Sequence, residues 1–171
     1  SEVALATAPL TAPPVIRALL AKLAIPYTEV ADLPGLNPAQ KIQAVLLEDA
    51  VGALMVLFPQ NQLLDLNRLA ELTGRRLTAV SPDRVERMLG KHELTLLPGL
   101  PPLTSSPCLY EGSLLDEPSL LVHSGEAGLL LEISRDAFKT MLTKASAGHF
   151  GEPLSNIRPN LDRPNDDREE I

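Results

Sequence analysis

The chain has 171 residues, enough for one domain with a core of its own, and its 44% apolar and 22% charged shares are those of a globular protein. A net charge of −7 and an aromatic share of 3% speak against a nucleic-acid reader built on stacked aromatics or on an overall positive field, so no DNA partner is expected. Cys108 is the sole cysteine, which excludes an internal disulfide and a cysteine-built zinc site.

The first element follows from Thr11 to Pro14, a cap residue followed by prolines suited to a first helical turn. Val15, Ile16, Leu19, Leu20 and Leu23 recur at helical spacing, which predicts an amphipathic helix over about 13–24. Pro26 ends it, Tyr27 to Val30 reads as a short edge strand, and Pro34-Gly35 as a turn. Asn37-Pro38 is expected to open a helical turn through Gln43. Two apolar runs, Ala44 to Glu48 and Gly52 to Phe58, flank the connector Asp49-Ala50-Val51 and predict a buried hairpin at the sheet centre. Pro59 to Leu64 reads as loop. Asp65 is placed to cap a helix to Leu72, with Gly74 in the left-handed position after it. Arg76 to Val80 is expected as a strand, and Ser81-Pro82-Asp83 as the start of a helix that runs to Leu89 and stops at Gly90. Arg75, Arg76, Arg84, Arg87 and Lys91 cluster here, as a solvated face or a local basic one.

The segment Leu96 to Leu103 holds three prolines, which donate no N–H and fix φ, so it is neither helix interior nor central strand. Gly99 is its one conformationally free residue, and the stiff loop it belongs to is suited to form a pocket wall or a connector. Strands follow at Pro107 to Glu111, Ser119 to His123 and Leu129 to Ile133, with a turn at 124–128. Arg135 to Leu142 fits a closing helix. From Gly148 the periodicity is lost. Residues 152–171 carry six acids and three bases, and with three prolines they suggest a linker. The acidic 166–171 looks like the first turn of a helix that continues. The expected organisation is one domain over 1–150 and an acidic, proline-rich linker over 151–171, leading to a downstream domain. The order of elements predicts a mixed α/β sheet flanked by helices. No charged-then-apolar leader and no run of bilayer length is present, so a cytoplasmic chain with no membrane partner is expected.

The hairpin 44–58, Leu63 to Ala70, Ser81 to Val85, Gly99 to Leu103 and His123 to Ile133, in that order over about a hundred residues, resemble the YbaK / prolyl-tRNA-synthetase-associated domain family. Its members are aminoacyl-tRNA deacylases that hydrolyse mischarged tRNA. The resemblance implies a partly barrel-like mixed sheet, no cofactor or metal, and a tRNA acceptor end as partner. It implies that Gly99 and Pro102 stand for the family's glycine-x-x-proline loop against the aminoacyl ester, and Ser124 and Gly125 for its small turn. The family's lysine falls on Ala44 and an aspartate used by many members on Leu130. Alanine supplies neither charge nor donor, so catalytic residues stay unassigned. Lys41 and His123 are the possible substitutes, Lys41 by reaching back one helical turn and His123 as a base. Two functions remain open: an editing deacylase of reduced or lost activity, and a small-ligand or partner-binding regulatory domain. The second fits family members that stand in front of HDOD signalling domains.

Overall fold

The computed structural model of the chain describes residues 10–156. The first helix, α1 (Pro14–Lys22), begins on a proline and buries Ile16 and Leu20, which lie one turn apart. Thr11 does not cap it; Pro13 holds that position and no side chain bonds to the first turn. After β1 (Thr28–Ala31) the predicted helical turn is cut short: one turn forms over 37–40, closed by the Gln40 N–H to Asn37 O bond of 3.1 Å, and it does not run on to Gln43. Asn37 Oδ1 also accepts the Ala39 N–H at 3.0 Å, and the chain extends from Lys41. Ile42, Ala44 and Leu46 then alternate inward with period two, the signature of a strand rather than a helix.

That strand is β2 (Ile42–Glu48), and with β3 (Ala53–Pro59) it forms the predicted hairpin, paired antiparallel from Ile42–Pro59 to Glu48–Ala53. The stretch expected as loop carries β4 (Gln62–Leu64). α2 (Leu66–Thr73) is capped as expected: Asp65 accepts the N–H groups of Asn67 and Arg68, and Gly74 ends the helix at φ +67°. β5 (Thr78–Ala79) is shorter than the predicted strand, and α3 (Pro82–Lys91) runs through Gly90 instead of stopping there. A glycine inside a helix weakens it by about 1 kcal/mol, less than the burial of Leu89 just before it contributes.

The proline segment is irregular except for one 3-10 turn at Pro101–Leu103. There follow β6 (Cys108–Glu111), β7 (Ser119–His123) and β8 (Leu129–Ser134). α4 (Arg135–Lys139) tightens into a 3-10 turn at Thr140–Leu142, within the expected closing helix. Two short strands complete the described chain, β9 (Ser146–Gly148) and β10 (Gly151–Pro153). β10 pairs with β4, so the sheet structure reaches past residue 150, where the linker was expected to begin. The rest of that expected linker, from 157, lies outside the described residues.

The larger sheet has the order β5-β2-β3-β6-β9, with β3–β6 and β6–β9 parallel and the others antiparallel. A second sheet has the order β1-β8-β7, all antiparallel. The two are stitched together where Leu121 N–H donates to Gln40 O at 2.8 Å and Lys41 bridges Leu121 in parallel. The curled, partly closed arrangement is the mixed α/β fold with flanking helices that the sequence predicted. One face of the hairpin (Ile42, Leu46, Met55, Leu57) joins Ile16, Leu20 and Phe138 in the main core. The other (Leu47, Leu54, Val56) packs with Leu69 and the fully buried Phe150.

Candidate functional site

Because three prolines stiffen it, the 96–103 segment holds its neighbours at fixed distances. It runs between the Ser124–Gly125 turn and the start of the hairpin. Thr95 N–H and Thr95 Oγ1 both donate to Gly125 O, at 2.8 and 3.1 Å, and the Leu96 N–H reaches the same oxygen at 3.3 Å. A Cβ added to Gly125 would stand 3.5 Å from Pro98 Cγ, and one added to Gly99 would stand 3.5 Å from Leu57 Cδ2. Ala44 pairs with Leu57 across the ladder and shares the inward face of β2 with Ile42. The proline segment thus packs through Gly99 on the hairpin next to Ala44, and through Pro98 on the Gly125 turn. These contacts are filled by apolar side chains, Ile42, Leu57 and Leu94, all buried. Ser124 is 0% exposed, and its hydroxyl is occupied locally: it accepts the Glu126 N–H at 3.1 Å and donates to Glu126 O at 3.2 Å. Leu130, at the family's aspartate position, is fully buried and pairs with His123.

Lys41 and His123 lie together in a different way from that expected. Lys41 is not a helical turn before Ala44. It stands on extended backbone, where an odd separation points the two residues to opposite sides. Its ammonium lies 2.8 Å from Asp32 Oδ1, and its side chain is 12% exposed. Burial lowers the His123 pKa below the ordinary histidine range; the Asp32 carboxylate pulls it back up and Lys41 pushes it further down. The neutral imidazole, a half-buried carboxylate and a paired ammonium thus form one polar cluster. Asp32 was missed in the sequence, since it sits alone in a loop beside Pro34-Gly35 with no spacing to mark it.

Two of the five basic residues of that stretch are paired with acids of the hairpin end. Arg75 holds Asp49 by two bonds of 2.7 and 2.8 Å, which keeps the Asp49 carboxyl well below the usual range, and Arg84 reaches Glu48 at 2.6 Å. No group of three His, Cys, Asp or Glu residues among the described residues is placed to hold a metal ion. No helix among them is long and apolar enough to cross a membrane.

The main concavity lies on the other side of the proline segment. It measures about 680 Å3 and is walled by Pro101, Pro102, Thr104, Cys108, Met141 and Lys144 among others. Pro102 lines it; Gly99, Ala44, Ser124 and Gly125, expected to share one pocket with it, do not. Glycine 99 faces the hairpin because only a residue without Cβ fits against Ile42, and the turn that follows swings the prolines outward. Burial pushes the Cys108 thiol up to about 12, so it is a neutral wall residue and not a nucleophile.

Residues 26–141, two thirds of the chain, match the model of the aminoacyl-tRNA editing domain. The chain belongs to that family. Among solved structures, a candidate signal transduction protein from Marinobacter aquaeolei VT8 is similar at 27% identity and a TM-score of 0.80, over 91% of this chain and 34% of that one. This editing-domain chain thus spans about a third of that protein's length. A candidate trans-editing enzyme for prolyl tRNA synthetase superposes with a TM-score of 0.64 at 21% identity, covering 83% of this chain and 99% of the other. The hypothetical protein APE2540 gives 0.67 at 17% identity, over 80% and 99%. At those identities the last two speak for the fold of the editing domain and no more. Among curated proteins, no match was found.

Proposed function

We propose that the domain keeps the framework of an aminoacyl-tRNA editing site and hydrolyses the ester of mischarged aminoacyl-tRNA weakly or not at all. The observation that carries this is Ala44. Where the family places its lysine, this chain has a methyl group packed beside Leu57, with apolar neighbours at the Gly99 crossing. Hydrolysis requires water to attack the ester carbonyl, negative charge to develop on that oxygen, and the tRNA ribose hydroxyl to leave. Backbone N–H groups near Gly99 would remain as donors to the oxygen. Loss of one such electrostatic stabiliser typically costs on the order of 10²–10³ in rate. Lys41 does not stand in for the missing charge, because Asp32 already holds its ammonium.

Deacylation measured on a panel of mischarged tRNAs tests the proposal. The unaltered domain is expected to stay near the spontaneous rate, and Ala44→Lys to raise it. Robust turnover by the unaltered domain that is abolished by Lys41→Ala would overturn it and place the chemistry at Lys41. A tRNA acceptor end is the macromolecular partner this function implies, in the cytoplasm, with no cofactor.

A second function is favoured by one observation, the 27% identical signal transduction candidate of which this chain spans 34%. On that basis the domain acts as a regulatory module of a longer signalling protein; that its downstream domain is of the HDOD type rests on the sequence resemblance alone. A small ligand or partner bound by the domain, with every mischarged tRNA left intact, would favour this function over catalysis.

A further inference from the structure

We infer that the 680 Å3 cavity behind the proline segment binds a small molecule that carries one oxyanion, a carboxylate, on an apolar body. The size lies within the range of pockets that enclose small organic ligands. One wall is preformed: Pro101 and Pro102 sit in a 3-10 turn closed by the Leu103 N–H to Leu100 O bond of 2.9 Å, and Pro107 stiffens the way into β6. A wall that is already rigid loses little freedom when a ligand arrives. Leu23, Met141 and Cys108 supply apolar surface, and the Cys108 thiol is neutral.

The polar part of the lining selects charge. Lys144 is its one charged residue, and no carboxylate lies in the wall, although the chain as a whole carries −7. Hydroxyls of Thr104, Ser105, Ser106 and Thr143 add neutral donors. A single exposed ammonium with neutral hydroxyls suits a carboxylate. A phosphate calls for the several charges or the bidentate arginines that this wall lacks. Of the residues expected at the editing site, Pro102 lines the cavity and Ala44, Gly99, Ser124 and Gly125 do not, and the inference stands whether or not the domain edits tRNA.

The three methionines provide a local test, because Met141 lines the cavity while Met55 is buried in the main core and Met88 packs against it. The whole chain is labelled with methyl-13C methionine and titrated with decanoate, decylamine and decanol. Decanoate is expected to shift the Met141 methyl saturably and leave Met55 and Met88 in place, and decylamine to bind far more weakly. Lys144→Gln should weaken decanoate about fivefold, the worth of one exposed charge, and leave decanol unchanged. Ala145→Phe should block all three by filling the cavity. Absence of a saturable Met141 shift, equal shifts at all three methionines, or decylamine binding as tightly as decanoate would overturn the inference. Should the filled variant fail to fold, the Lys144→Gln comparison decides alone.

Discussion

Gly99 lies against Ile42 with no room for a side chain between them: a Cβ on Gly99 would stand 2.9 Å from Ile42 Cγ2. Ile42 is fully buried and β-branched, so its methyl has no free rotamer to retreat into. Gly99→Ala is therefore expected to destabilise the domain by about 1–3 kcal/mol, the usual cost of overpacking. Ile42→Ala opens the missing space, and the double variant should lose less than the sum of the two single losses. Denaturant unfolding of the four proteins checks this; strict additivity would show that the contact is not the cause.

The Lys41–Asp32–His123 cluster makes a signed prediction. Lys41→Gln removes a repulsion and leaves the Asp32 attraction, so the His123 pKa should rise. Asp32→Asn removes the attraction and leaves the repulsion, so it should fall. NMR titration of the His123 imidazole protons measures both.

Glu111 governs how stability depends on acid. Its Oε1 accepts the N–H groups of Phe150 and Gly151 at 2.9 and 3.0 Å, and Oε2 accepts Ser113 N–H at 2.8 Å. Burial alone would raise its pKa, but these three donors outweigh burial and hold it below the ordinary 4.5. A carboxylate depressed in the folded state contributes stability above its unfolded pKa and loses it as pH falls through the folded value. Glu111→Ala is expected to cost about 2–4 kcal/mol at neutral pH, because three backbone N–H groups, that of Phe150 fully buried, lose their acceptor. The gap between variant and parent should narrow below about pH 4, read as melting temperature against pH.

Cys108 should resist thiol reagents. With its pKa near 12 and the residue buried, almost no thiolate is present at pH 8. Alkylation is expected to run at least about a hundredfold slower than for a free cysteine, whose pKa is near 8.5. A rate near that of free cysteine at pH 8 would mean that the cavity wall opens readily.

Local chemistry made much of this fold legible. The hairpin was readable because apolar residues on both faces of β2 and β3 are buried in separate cores, which leaves continuous apolar runs. The α2 ends were readable because Asp65 and Gly74 each satisfy a backbone need by themselves. The errors came where a distant partner decided. Residues 37–43 offered a proline helix start, yet only one turn forms, over 37–40, because pairing of Gln40 and Lys41 with β7 draws the chain into extended backbone from Lys41. Residues 151–153 lacked periodicity, yet a strand forms there because β4 and the Glu111 carboxylate receive it. At the site, the expectation that Gly99, Ala44 and Gly125 share a pocket came from a resemblance, and the cavity wall contains none of the three. The cavity on the far side, and the Asp32 that claims Lys41, depend on contacts between segments far apart in sequence that no local pattern encodes.

The seam between the two sheets, the Lys41–Leu121 bridge with the Leu121 N–H to Gln40 O bond, joins strands brought together only after a long loop has closed. Loop-closure entropy is spent before such a contact is rewarded, so the seam forms after the β2–β3 and β7–β8 hairpins, each of which closes locally. The same reasoning sets the order of opening. The Leu121 amide should exchange its hydrogen with solvent sooner than the amides at the centre of β3, so the first opening of the fold runs beside the Lys41 ion pair.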